Sequence, residues 1–289
     1  MIFLQLLINA LSLGSFYALV AFGFALIFGV THAFNLAHGE LILLGGYLAY
    51  FLVKYWQLPF IWTLPVCMLG LTMAAVLLQK LLQQVQPPYE LNTLVVTFGL
   101  ALVLQNVMLI LFSANYRLIP SVELPFELTK FALNITEAQV MDIVVSLVAT
   151  ISLHLLLRKT FLGKALRATI QNREAAKLVG IHVRRMSLIA FLLGGALIGL
   201  AGPLYARTAY LQPAGGTEPT LIAIVITIFA GVGRTRGILL GGWVLGVAES
   251  LSVYLLGSGW RELVSAVLLI LLLILQPQGL LPQRARWLG

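Results

Sequence analysis

The 289-residue sequence predicts an all-α, polytopic integral membrane protein of eight or nine transmembrane helices, with one charged helix outside the bilayer. Three observations carry this. The composition is 60% hydrophobic and 10% charged with a mean hydropathy of +1.00, whereas soluble domains carry about 25% charged residues. Apolar runs long enough to cross roughly 30 Å of hydrocarbon recur along the chain. None of them alternates polar and apolar residues every second position, which argues against a membrane barrel.

Taken in order, the runs lie at 3–30, 39–56, 59–79, 92–113, 140–157, 186–207, 219–233, 237–256 and 261–277. The first is long, 39–56 reads as broken or partly re-entrant, and 219–233 with 237–256 is a short pair. The count is therefore eight or nine. Pro59, Pro203, Pro213, Pro219 and Pro277 mark run ends, and Gly202-Pro203 predicts a kink late in 186–207, because the proline ring removes a donor and clashes one turn back. Gly195-x3-Gly199, Gly237-x3-Gly241 and Gly242-x3-Gly246 predict close helix packing, since lipid offers no hydrophobic drive for association and small residues let backbones approach. The whole of 1–289 reads as one membrane domain.

One passage breaks the apolar pattern. Residues 158–185 hold eight of the eighteen Lys and Arg residues and a single acid, Glu174. Wound as a helix, Ala165, Ala168, Asn172, Ala175, Ala176 and Val179 fall within an arc of roughly 100°, with Arg167, Arg173, Glu174 and Lys177 opposite. Gly163 and Gly180 bracket the segment as its start and stop. A basic loop is by itself an orientation signal. Placing it in the cytoplasm also puts 31–38, 80–91, 234–236 and the C-terminal segment inside, with 13 Lys and Arg there against five outside: Lys54, Arg117, Lys130, Arg207 and Arg261. Nine runs then leave the N-terminus outside. The longest outer loop, 114–139, carries Glu123, Glu127 and Glu137. The first 39 residues contain no Lys, Arg, Asp or Glu, so no cleavable leader with a positive n-region is expected.

Several function classes are excluded by what the chain lacks. The net charge of +8 lies in short loops without the aromatic-interleaved basic surface that nucleic acid requires. Cys67 stands alone in an apolar run and permits no internal disulfide or metal set. There is no phosphate-binding loop, no H-E-x-x-H and no G-x-S-x-G elbow, so the chain is not expected to hydrolyse ATP or to act as an enzyme.

The remaining polar groups are few. An ionisable group inside the membrane costs about 2.5 to 3.5 kcal/mol on insertion scales. Glu249 lies well within its run, while Glu40 and Asp142 sit near run ends, where interfacial water is the expected solvation. Phe34-Asn35-Leu36-Ala37-His38-Gly39-Glu40 gathers donors and acceptors beside a glycine and reads as a hinge between two runs. Thr97 and Asn106 lie deep in 92–113, where polar groups must face protein or water. The candidate translocation-pathway residues are therefore Asn35, His38, Gly39, Glu40, Thr97, Asn106 and Glu249. A structural, hydrogen-bonded role is the commoner one for a lone histidine, and no carboxylate spacing argues for a metal.

The spacing G-K-A-x-R-A-x(3)-N-x-x-A-A-x-L-x-G-I over 163–181, together with the FNLAHGE motif, resembles permease subunits of bacterial ABC importers of the branched-chain amino acid type. The resemblance covers nearly the whole chain. It implies that the cytoplasmic helix is a coupling helix seated in a groove of an ATPase subunit, through Gly163, Lys164, Ala165, Arg167, Ala168, Asn172, Glu174, Ala175, Ala176, Lys177 and Gly180. It also implies a second, related permease, an extracytoplasmic substrate-binding protein, and ATP and Mg held on the ATPase partners with no cofactor in this chain. The implied location is the bacterial inner membrane, in contact with lipid, and the implied substrates are leucine, isoleucine, valine or other neutral amino acids. A relative of the same family carries urea or short amides and stands as the alternative. An ion-coupled secondary transporter would need inverted repeats and interrupted helices at the midplane, of which only a weak echo exists between 39–46 and 237–246.

Overall fold

The computed structural model describes residues 2–121, 135–231, 233, 235–260 and, within 263–271, all but 265 and 269. Among the described residues ten α-helices are delimited, α1 (Ile2–Thr31), α2 (His38–Trp56), α3 (Phe60–Leu82), α4 (Tyr89–Phe112), α5 (Glu137–Lys159), α6 (Phe161–Gln171), α7 (Arg173–Leu178), α8 (Val183–Thr208), α9 (Thr217–Ala230) and α10 (Thr235–Leu256), then a 3-10 turn at Ser258–Trp260, and the described residues within 263–271 are helical too. An isolated antiparallel bridge pairs Arg117 with Leu211. Eight of the expected runs coincide with helices. The ninth, 261–277, lies partly outside the described residues, as do Glu123, Glu127, Lys130, Arg234, Arg261, Pro277, Arg284 and Arg286. Among the described residues, six helices, α1, α3, α4, α5, α8 and α10, are long and apolar enough to cross a membrane.

The bundle is built around α1. A helix that is apolar on every side has no face for water or for a boundary and belongs in the centre. Accordingly, 89% of the most apolar window of α1 is buried, against 11% for α4 and 28% for α5. Helices α5, α8, α9 and α10 all pack on α1, and α3 and α2 pack on α8. The exposed flanks of α3, α4 and α5 carry large apolar side chains such as Leu69, Met73, Phe98, Ile110 and Ile151, the surface that lipid solvates.

The small-residue spacings sit at helix crossings. A Cβ on Gly242 would come within 2.8 Å of the Ala18 nitrogen in α1, and one on Gly199 within 2.5 Å of the Met68 Cα in α3. Gly241 instead faces Ile226 and Phe229 of α9. Helix α8 stays helical through Gly202-Pro203 to Thr208, and Gly202 lies there against the Ile42 and Gly45 backbone of α2.

The segment between α1 and α2 departs from the expected cytoplasmic loop. His32 takes φ 56 and the chain folds back along α1, so that Ala33, Asn35 and Ala37 are buried and the rings of Phe28 and Phe34 lie 4.5 Å apart. The His38 Nε2 then reaches the Val20 carbonyl at 3.1 Å. Val20 is roughly 16 Å from the α1 terminus at the helical rise, so α2 begins inside the bundle. It is a continuous helix, not a broken one. On the opposite side of the bundle, the chain after α4 is tied to the α8–α9 linker by Arg117 N donating to Leu211 O at 3.1 Å and to the last turn of α8 by Ile119 N donating to Ala206 O at 2.8 Å.

Candidate functional site: a charged helix pair and buried polar groups

The charged passage forms two helices instead of the single helix expected. Thr160 caps α6, its hydroxyl accepting from Gly163 N at 3.0 Å. Asn172 then takes φ −157 and ψ 109, outside helical space, and its side-chain oxygen accepts from Glu174 N and Ala175 N, each at 3.0 Å. An asparagine with these bonds starts a new helix, which is why α6 ends and α7 begins there. Gly163 is not the start of the segment but lies within the first turn of α6, where a Cβ would meet the Leu157 Cα of α5 at 2.5 Å. Gly180 follows the end of α7 at φ 83, a conformation that favours glycine.

The small face is shared between the chain's own packing and the outside. Ala165 and Ala176 are buried and Ala168 and Arg167 are half-buried, whereas Lys164, Asn172, Glu174, Ala175, Lys177 and Gly180 are exposed. Beside them, Leu178 is 89% and Val179 75% exposed. Lys177 Nζ and Glu174 Oε1 pair at 2.8 Å on the surface, which holds the Glu174 carboxyl below the usual range and contributes little stability in water.

Five of the predicted pathway residues converge on the first turn of α2. Asn35 Oδ1 accepts from Ala37 N at 3.1 Å. Thr97 of α4 binds the linker twice, its hydroxyl accepting from Leu36 N at 3.2 Å and lying 3.1 Å from the Phe34 carbonyl. Gly39 N donates to Thr220 Oγ1 at 2.8 Å, which joins the N-terminal turns of α2 and α9. The Glu40 carboxylate lies against Gly216, so closely that a Cβ there would overlap it. His38 completes the set on α1. Glu40 is 4% exposed, contrary to the interfacial position expected from sequence, because the fold-back carries this turn into the bundle.

Asn106 does not join them. It lies nine residues further along α4, on an exposed face, and its Nδ2 donates to its own helix at Leu102 O, 2.8 Å away. Glu249 is buried on α10, where it accepts from Tyr17 Oη at 2.6 Å. Asp142 is also buried, accepting from Ser12 Oγ at 3.2 Å; its expected interfacial solvation gives way to contact between α5 and α1.

Sequence reasoning counted Arg207 only as an outer charge and Glu137 only as a loop acid. Arg207 is buried at the end of α8, pairs with Glu137 Oε2 at 2.8 Å, and stacks over the Phe60 ring at 4.4 Å. A signal was available: Gln5, Asn9 and Ser12 recur at i, i+4 and i+7 and so mark a polar stripe on α1, bonded to α5 by Gln139 Nε2 donating to Asn9 Oδ1 at 2.8 Å. Among the described residues, no three His, Cys, Asp or Glu side chains form a metal-holding group.

Long apolar helices, polar groups held inside the bundle and a charged helix pair at one end define a helical membrane protein. The family described as the permease component of the branched-chain amino acid transport system matches residues 6–275. The chain belongs to that family and is a multi-pass protein of the inner membrane. The high-affinity branched-chain amino acid transport system permease protein BraD of Pseudomonas aeruginosa is 28% identical over 294 residues, covering 96% of this chain and 95% of its own. LivH of Escherichia coli, named likewise, is 28% identical over 295 residues with the same coverage, and a probable branched-chain amino acid transport permease, LivH of Methanocaldococcus jannaschii, is 26% identical over 288 residues, covering 96% and 91%. Among solved structures, PsaBC from Streptococcus pneumoniae in complex with Fab aligns with a TM-score of 0.50 over 92% of this chain and 90% of that one at 13% identity, a likeness of fold alone.

Proposed function

We propose that this chain is the permease subunit of an ATP-binding cassette importer, carrying branched-chain or other neutral, hydrophobic amino acids into the cytoplasm. The observation that carries the reading is the family match over 6–275, supported by relatives of that name along 96% of the chain. ATP and Mg belong to separate ATPase subunits, and the chain itself is non-catalytic.

The ATPase engages the α6–α7 pair. Exposed Ala175, Leu178 and Val179 offer it an apolar patch beside Lys164 and Lys177, and contact residues that combine an apolar centre with a charged rim suit a protein partner. Because α6 follows α5 directly and α7 precedes α8, a push on the pair moves both helices and rocks the bundle between inward- and outward-open states. A second, related permease covers part of the exposed flank, and an extracytoplasmic binding protein delivers substrate at the opposite end. All eight or nine expected spans cross the membrane in this reading, with α2 and α9 as its short members.

The test is uptake in proteoliposomes holding this chain, its sister permease, the ATPases and the binding protein. ATP-dependent accumulation of labelled leucine, competed by isoleucine and valine but not urea, is the expected result. Accumulation of urea or short amides in place of leucine would overturn the substrate assignment.

A further inference from the structure

At the end of the bundle opposite α6 and α7, helices α1, α5, α8 and α10 surround a cavity of about 700 Å³ whose wall carries both signs of charge. Asp142 is 2% exposed; one carboxylate oxygen accepts from Ser12, and the other, Oδ1, has no partner. Arg207 is 6% exposed; Nη2 is held by Glu137, while Nε and Nη1 have no partner. Both line the cavity. Leu13, Phe16 and Val253 supply apolar wall beside them.

A buried charge left short of partners is costly, more so in a low-dielectric setting. Here two opposite charges are each satisfied on one side by a fixed neighbour and left without a partner on the other. Ser12 orients the Asp142 carboxylate, and Glu137 with the Phe60 ring fixes the plane of the Arg207 guanidinium. Unpaired guanidinium N–H groups are donors for a carboxylate, and an unpaired carboxylate oxygen suits an ammonium. The molecule that meets both at once has an anion and an ammonium close together, and an aliphatic side chain for the apolar wall.

We infer that this cavity receives the zwitterionic head of an α-amino acid, Arg207 taking the carboxylate and Asp142 the ammonium. The inference rests on the proposed function and deepens it by giving this chain a substrate contact of its own at the receiving end. Because each charge is already shared with a fixed neighbour, the grip is weak enough to release the substrate inward.

A zwitterionic lipid headgroup, as in phosphatidylethanolamine, shares this chemistry, so the experiment separates the two. The complete membrane complex, without the soluble binding protein, is placed in nanodiscs of phosphatidylglycerol with or without phosphatidylethanolamine, and tritiated L-leucine binding is measured. Binding competed by valine, but not by leucinamide or isocaproate, each of which lacks one charge, is expected. Asp142→Asn and Arg207→Gln each weaken binding by about tenfold or more, the effect of losing a charge-assisted hydrogen bond, and Arg207→Lys recovers part of it. ATPase co-purification at wild-type yield reports that the variants fold, and the competition series needs no variant. Unchanged leucine binding in both neutral variants, equal competition by leucinamide, or bound phosphatidylethanolamine that leucine does not displace would overturn the inference. Leucine import by the complete system, with no binding to these nanodiscs, would sink the cavity assignment and leave the proposed function standing. Absence of import as well would remove both.

Discussion

Tyr17 and Glu249 are 232 positions apart in sequence and 2.6 Å apart in the bundle, the phenol donating to the carboxylate. The bond ties α10 to the central helix. Tyr17→Phe removes the donor with little change of shape, and a hydrogen bond to a charged group contributes about 1.5 to 3 kcal/mol. The thermal midpoint of the purified complex should fall by several degrees. A midpoint equal to wild type would show that the bond contributes nothing.

Thr97 and Asn106 share a helix but not a fate. Thr97→Val removes both bonds from α4 to the folded-back linker and should cost about 1 to 3 kcal/mol in stability, with loss of uptake. Asn106→Ala, on the exposed face, should leave the stability of this chain within about 0.5 kcal/mol of wild type. The reverse order of effects in a thermal-shift series would contradict the placement of the linker.

The first turns of α2 and α9 meet through glycine. A Cβ on Gly39 would overlap the Gly216 carbonyl and come within 2.6 Å of Thr220 Oγ1, and backbone cannot give way as a flexible side chain can. Gly39→Ala should therefore lower the yield of folded protein severalfold in a detergent-extraction assay, whereas Gly99→Ala, with open space around its Cβ, should not. Equal yields would refute the close approach.

Much of this fold is legible in the sequence because span detection needs only the summed hydropathy of about 20 residues, and the glycine spacings mark crossings because lipid leaves shape as the main attraction. Depth is a different matter. Hydropathy places Glu40 and Asp142 near span ends, but the fold-back at His32 and the contact of α5 with α1 bury both, and neither is a local property of the chain. The break at Asn172 is hidden for a related reason: the small face continues in phase across it, and an asparagine reads equally as a surface residue until its side chain is seen bonded to Glu174 N and Ala175 N. Arg207 was hidden by counting charges per loop, which ignores whether a charge turns inward.

The break itself can be tested. Asn172→Ala removes the cap of α7, at a cost of about 0.5 to 2 kcal/mol, while Asn172→Asp keeps an acceptor at the same place. Uptake should fall clearly in the alanine variant and stay near wild type in the aspartate variant. Identical uptake by the two would mean that the position of α7 does not matter to transport.

The central claim, that the α6–α7 surface is where a separate ATPase grips this permease, is tested most directly by co-purifying the ATPase with Ala175→Glu and Leu178→Glu variants from membranes. Both side chains are exposed, so membrane insertion of the variants should be unchanged. The account predicts that the ATPase is lost from both preparations. Recovery of the ATPase at wild-type yield with both variants would contradict it.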